Sequence, residues 1–258
     1  MQIKDRHVVV TGGASGIGKA LCERFAADGA RGVVVADLQE DAAHQVANAV
    51  GGLAVACDVG QKEQVEELVH KSEEAFGPID LFCSNAGIAT GSDVLDDDLD
   101  VWQMQWDVNL MAHVHAVKAV LPGMLERGEG YLLHTASMAG ILSTHLNVPY
   151  AVTKHAVVGL AEWLAFTYKH RGIGVSCLTP LGVRTPMLGD TDSDWAKNAA
   201  GDVKEPEDVA TMVTEALAEE RFLITTDDIA QQWMEGKTTD PDRWIAGMNR
   251  LQQKLEGS

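Results

Sequence analysis

Short apolar runs alternate along the chain with longer stretches whose apolar residues recur at helical spacing. The short runs cover 7–10, 32–36, 53–57, 80–83, 131–135, 173–178 and 222–225. The first, second and sixth are rich in valine and isoleucine and show little polar alternation, which predicts strands buried on both faces. Helical patterns lie between them, over 17–27, 40–50, 62–76, 101–127, 150–170 and 206–219, with a last one over 241–255. Start signals support the later ones. Pro206 sits among acids in a first turn, and Asp240 precedes Pro241 as a cap. This rhythm predicts an α/β fold: a doubly wound, parallel, seven-stranded sheet with helices on both faces (a Rossmann fold). No repeat or linker interrupts residues 1–258, so a single domain is expected. The polar, patternless stretch near 186–205 predicts a substrate loop or lid.

Charge narrows the partners. A net charge of −18 sets the chain against nucleic acid and against anionic membrane surfaces. Cys22, Cys57, Cys83 and Cys177 are far apart in sequence and form no CxxC pair, which predicts buried thiols in a reducing compartment. The N-terminus lacks the apolar core of a signal peptide, and no run of eighteen apolar residues occurs, so a cytoplasmic protein is expected. His113 and His115, two apart on a predicted helix, point in different directions and make poor metal ligands; no metal is expected.

The first strand runs into Thr11-Gly12-Gly13-Ala14-Ser15-Gly16-Ile17-Gly18. Glycines at 12, 16 and 18 allow a tight turn and close approach to a pyrophosphate, and the helix opening near Ile17 aims free N–H groups at that anion. Asp37 ends the second strand, where a carboxylate can accept both ribose hydroxyls of adenosine and repel a 2′-phosphate. Leu38 and Ser15 occupy the two obvious places for a phosphate-binding cation. Together these favour NAD over NADP. The plainer alternative for Asp37 is a turn cap.

Tyr150 and Lys154 share one face of a predicted helix. A phenol working near neutral pH needs its pKa lowered, and an ammonium close by can supply that shift, with help from the positive nicotinamide of an oxidised cofactor. Ser137 precedes Tyr150 by thirteen residues, and Asn85-Ala86-Gly87 follows the fourth strand. With the glycine turn and Asp107-Val108-Asn109, these motifs resemble those of the short-chain dehydrogenase/reductase family, in the right order from about residue 7 to 187.

The resemblance implies an enzyme that passes a hydride between NAD(H) and a secondary alcohol or ketone. Tyr150 would be general acid in reduction and general base in oxidation. Ser137 would aim the substrate oxygen, Lys154 would also bind the nicotinamide ribose, and Asn109 would anchor a water linking Lys154 to solvent. Among cofactor contacts it implies Gly12, Ser15, Gly16, Ile17, Gly18, Asp37 and Leu38, then Asp58 and Val59 at adenine. Asn85, Ala86 and Gly87 would lie along the ribose, and Pro180, Val183 and Thr185 near the nicotinamide. It also suggests pro-S hydride transfer and a homodimer or homotetramer.

Two departures stand out. Leu181 replaces the family's glycine after Pro180, and no Val-Asp-Gly-Gly motif follows the last strand, which weakens the case for a tetramer. Trp102, Trp106 and Val157 lie where relatives form a dimer contact. The expected substrate walls hold Ile88, Ile141, Leu142, Leu146, Val148, Met187, Leu188 and Trp195, with few cations, which predicts a lipophilic substrate. His145 is a further candidate for substrate contact. The rival from another class is a catalytically weak protein of the same fold that senses NAD.

Overall fold

The computed structural model describes residues 1–145, 147–189 and 202–256. Most of the predicted lid, with its Trp195, and Leu146 of the predicted substrate wall lie outside the described residues. The valine-rich runs form β1 (His7–Thr11) and β2 (Gly32–Asp37), almost wholly buried, as strands covered on both faces must be. β3 (Leu53–Ala56), β4 (Leu81–Ser84), β5 (Gly130–Thr135), β6 (Ile173–Thr179) and β7 (Leu223–Thr225) complete the sheet. All neighbours pair parallel, in the order β3-β2-β1-β4-β5-β6-β7.

Two apolar layers flank the sheet. On one face pack α1 (Gly16–Ala27), α2 (Glu40–Val50) and α8 (Pro206–Ala218), through Leu21, Phe25, Val46 and Val213. The other face takes α3 (Lys62–Phe76), α5 (Ala112–Arg127) and α7 (Val148–Tyr168), through Leu68, Met124, Val157 and Leu164. The chain winds from β1 outward to β3, then returns to β4 on β1's other side. That reversal opens a crevice at the carboxyl ends of β1 and β4, where ligands of such sheets bind.

The predicted helix over 101–127 is not α-helical throughout. It runs as α4 (Leu99–Trp106), a π-helical turn (Asp107–Met111) and α5. A π-turn adds a residue and rotates one side chain out of α register. Here that places Asn109 and Leu110 inward. From Leu99 to Arg127 this is the one helix among the described residues long and apolar enough to cross a membrane, yet half of its apolar window is buried in protein.

Two elements fall where the sequence reading placed none: α6 (Ala139–Leu142) and α9 (Asp228–Thr239). The expected last helix follows as α10 (Pro241–Glu256). α6, α9 and α10 share a third small core: Met138, Ile141, Leu142 and Leu181 pack with Ala230, Trp233, Met234 and Trp244. Of the expected substrate wall, Leu142 is thus buried in the core of this C-terminal cap, and Ile141 packs against it partly buried. The same packing explains Leu181, whose side chain fills the cluster where a glycine would leave a gap.

All four cysteines are free and buried. Burial pushes the Cys22 and Cys177 thiols up to about 12 and Cys57 to about 11, so they behave as inert apolar residues.

Candidate active site

β1 ends in a turn that only glycine can build. Gly12 and Gly16 adopt φ of +65° and +51°. A Cβ at Gly18 would lie 2.0 Å from the Gly12 carbonyl oxygen, so the first turn of α1 closes onto the loop because nothing is there. Ser15 caps α1 in extended conformation without a side-chain bond. The first N–H groups of α1, from Gly16 to Gly18, have no intrahelical partner and suit an anion. A Cβ at Gly16 would sit 2.9 Å from Thr185 Cγ2, so the loop after β6 faces this turn at close range.

Asp37, at the end of β2, does two jobs at once. Its carboxylate accepts from the backbone N–H of Ala14 and of Gln39, both at 3.0 Å. It therefore does cap a turn, and that bond ties it to the glycine turn. Leu38 beside it is 73% exposed and carries no charge. Asp58 Oδ1 accepts from Gly60 N at 3.0 Å, while Val59 is buried in the core.

On β1's other side, Asn85 locks three strands. Its amide donates to Thr11 O (3.0 Å), its backbone N–H to Thr11 Oγ1 (2.9 Å), and its carbonyl oxygen accepts from Thr135 Oγ1 (3.2 Å). A Cβ on Gly12 would meet Ala86 Cα at 2.9 Å, so this segment lies directly against the glycine turn. Gly87 then reaches the catalytic candidates. A Cβ there would be 3.2 Å from Asn109 Oδ1 and 3.4 Å from Lys154 Nζ.

Lys154 is buried, and its ammonium donates to Thr135 O at 2.9 Å. Its Nζ lies 5.7 Å from the Tyr150 ring centroid, and the Ser137 hydroxyl faces the Tyr150 phenol and favours its anion. Ser137 is itself held: it accepts from Ala139 N at 3.1 Å and faces Pro180 O at 3.5 Å. Asn109 accepts from Ile88 N (2.8 Å) and donates to Ile88 O (2.9 Å), fixing the loop after Gly87. The four residues expected to act together therefore do converge, beside the crevice reached by the glycine turn.

Electrostatics correct one expectation. In the protein alone, burial raises the Tyr150 phenol above its usual value, and only the Ser137 hydroxyl opposes this. Lys154 is lowered to about 8, by desolvation first. The ammonium attracts an anion at the phenol, but it is too far and too desolvated to overcome the burial.

Several residues that hold the site escaped the sequence reading. Asn147 caps α7 by accepting from Tyr150 N at 2.9 Å, and Thr153 Oγ1 accepts from Asn109 at 3.2 Å. The signal for the first was present: Asn147 stands just before Pro149, an N-cap followed by a first-turn proline. The base of the predicted lid is pinned, because Val183 bridges Lys204, Arg184 N donates to Lys204 O, and Lys204 N donates to Gly182 O. Met187 stands 49% exposed, its Cε 4.0 Å from a Cβ built at Gly87. His145 pairs with Gln252 on α10 at 2.7 Å.

A family model described as short chain dehydrogenase matches residues 6–196. The chain is 38% identical over 95% of its length to 1-deoxy-11-beta-hydroxypentalenate dehydrogenase of Streptomyces exfoliatus, covering 92% of that protein. It is also 38% identical over 72% of its length to 2,5-dichloro-2,5-cyclohexadiene-1,4-diol dehydrogenase of Sphingobium indicum, covering 76% of it. Among solved structures, a short chain dehydrogenase/reductase of Burkholderia phymatum in complex with NAD superposes with a TM-score of 0.86 at 29% identity, over 94% of this chain and 96% of that one.

Proposed function

This chain belongs to the short-chain dehydrogenase/reductase family as an oxidoreductase acting on CH–OH groups, and we propose that it uses NAD(H), with Tyr150 as acid and base, on a lipophilic secondary alcohol or ketone. The observation that carries this is the meeting of Asn109, Lys154 and Gly87 at the end of the glycine-turn crevice, with the Ser137 hydroxyl facing Tyr150. The chemistry NAD supplies when bound is hydride acceptance at its nicotinamide ring. In oxidation Tyr150 takes the proton from the substrate hydroxyl, and Ser137 holds that oxygen in line. Lys154 stabilises the phenolate and binds the nicotinamide ribose, while Asn109 anchors the water that joins Lys154 to solvent.

Cofactor choice rests on Asp37 and Leu38. A carboxylate already fixed by two backbone N–H groups cannot swing away from a 2′-phosphate. Gly16, Ile17 and Gly18 would hold the pyrophosphate, Asp58 and Val59 the adenine, and Pro180, Val183 and Thr185 the carboxamide. We expect the double change Asp37→Asn with Leu38→Arg to move the NADP:NAD ratio of binding constants at least ~100-fold toward NADP, about 3 kcal/mol. The asparagine keeps one acceptor for the glycine turn. Titration of both cofactors decides it, and tight NADP binding by the unaltered protein would refute the assignment.

The lipophilic substrate is supported by Met187 at the crevice and by the dichlorinated cyclohexadiene diol in the name of one relative. A panel of cyclic and open-chain alcohols with NAD tests it. Better turnover of small polyols than of apolar alcohols would end this part of the reading. The buried free thiols fit a reducing, cytoplasmic compartment.

We also propose a homodimer through α7. Val157, expected at that contact, is fully buried in its own core. The exposed stripe is instead Val152, Trp163 (48% exposed) and Phe166 (71%), with Met104 and Trp106 on α4 alongside. An apolar stripe of this kind on one long helix suits a second copy of the same helix. Phe166→Asp should shift the protein to monomer in sedimentation velocity. A sedimentation coefficient unchanged by this substitution would place the contact elsewhere.

A further inference from the structure

His113 and His134 are fully buried, and no step above uses them. Their Nδ1 atoms lie 2.9 Å apart, with ring centroids at 5.2 Å and planes 30° from parallel. Only one proton fits between two such nitrogens when both rings are neutral. One imidazole must carry Nδ1–H, and the other must carry Nε2–H. Both Nε2 atoms are buried and lack a partner. An apolar pair of similar size would avoid the cost of two orphaned polar atoms, so this arrangement calls for a reason.

Its position supplies one. His113 lies one turn after Asn109, at the start of α5. His134 immediately precedes Thr135, whose carbonyl holds the Lys154 ammonium and whose hydroxyl holds Asn85. The bond between the rings thus bolts the end of β5 to the helix that carries Asn109. In the sheet, His134 stands between Ser84 on β4 and Cys177 on β6. His113 also lines a small cavity of about 10 Å³ with Thr11 and Ser84.

We propose that His113 and His134 form a neutral pair of opposite tautomers that fixes the Thr135 carbonyl and thereby positions Lys154. The inference rests on Lys154 being the lysine of the site. The charged and titratable groups around the pair agree with neutrality. Burial lowers both rings, His134 to about 4, and the facing Lys154 ammonium disfavours a proton on His113 further. Lys154 in turn faces Cys177, whose thiol is held neutral, and the Tyr150 ring.

The test uses the full-length protein and needs no substrate. Nitrogen-15 spectra of labelled histidine should show one ring protonated at Nδ1 and the other at Nε2, neither titrating between about pH 5 and 9. Identical tautomers, or a midpoint inside that range, would overturn the proposal. The second readout is the titration of Lys154, followed at its labelled Cε, in His113→Leu, in His134→Leu and in the double variant. Each should lower the lysine midpoint by about half a unit or more, because the Thr135 carbonyl is no longer held to the charged form. The single variants should melt lower than the double variant, since each leaves an Nδ1 unpaired. A double variant whose lysine titrates as in the unaltered protein would refute the positioning role. Should the variants not fold, the tautomer spectra still decide. A Tyr150→Phe variant that keeps its turnover would strike the catalytic reading without touching either readout.

Discussion

Tyr150→Phe should lower kcat/KM for any alcohol that reduces NAD by about 1,000-fold or more, which is about 4 kcal/mol of transition-state stabilisation. The substitution removes one oxygen and keeps the ring against Lys154. The lost interaction is the one with the Ser137 hydroxyl, which retains Ala139 N and Pro180 O. Stability should therefore change by about 1 kcal/mol or less. NAD binding should stay within about threefold, because the glycine turn, Asp37 and Lys154 are untouched. This split separates catalyst from sensor. A sensor loses nothing measurable, since its phenol has no proton to move. Turnover within tenfold of the unaltered protein would remove Tyr150 from the chemistry.

The sequence exposed the frame well, and the reason is physical. Strands buried on both faces must be continuously apolar, so His7–Thr11 and Gly32–Asp37 announce themselves. Glycines that allow left-handed backbone or a 2.0 Å approach have no substitutes, so the turn from Gly12 to Gly18 is also legible. What stayed hidden depends on contacts between distant segments. Asp228–Thr239 has a polar face and caps Met138 and Leu142, so its helix is decided by tertiary packing. The π-turn at Asp107–Met111 leaves no periodic signature over five residues. His113 and His134 are 21 residues apart, and only the register of β5 beside α5 brings them together. The phenol's raised pKa stayed hidden for a related reason: the cost of burying it depends on packing that spacing does not reveal.

Lys154→Met should make the protein both inactive and more stable. The ammonium is buried, and desolvation lowers it from 10.5 to about 8. Each unit is worth about 1.4 kcal/mol, so keeping this group charged in the fold costs on the order of 3 kcal/mol below pH 8. The bond to Thr135 O is lost with the lysine and leaves a carbonyl unpaired, which returns about 1 kcal/mol. A net gain of about 2 kcal/mol should raise the melting temperature by about 4–8 °C near neutral pH. The sign with pH is fixed by linkage. Between about pH 8 and 10.5 the unfolded chain holds a proton that the folded chain has released, so the unaltered protein gains stability as pH rises there. The advantage of Lys154→Met is therefore complete below pH 8 and fades toward pH 10.5. Melting curves of the cofactor-free proteins at about pH 6.5 and pH 10 measure it, and an increment equal at both would show that the lysine's charge is not its source. Turnover should fall by about 100-fold or more, as the phenolate loses its neighbouring charge. On the proposed mechanism, the weakening of the fold by this residue is offset by what it does in the reaction, where its charge favours the phenolate.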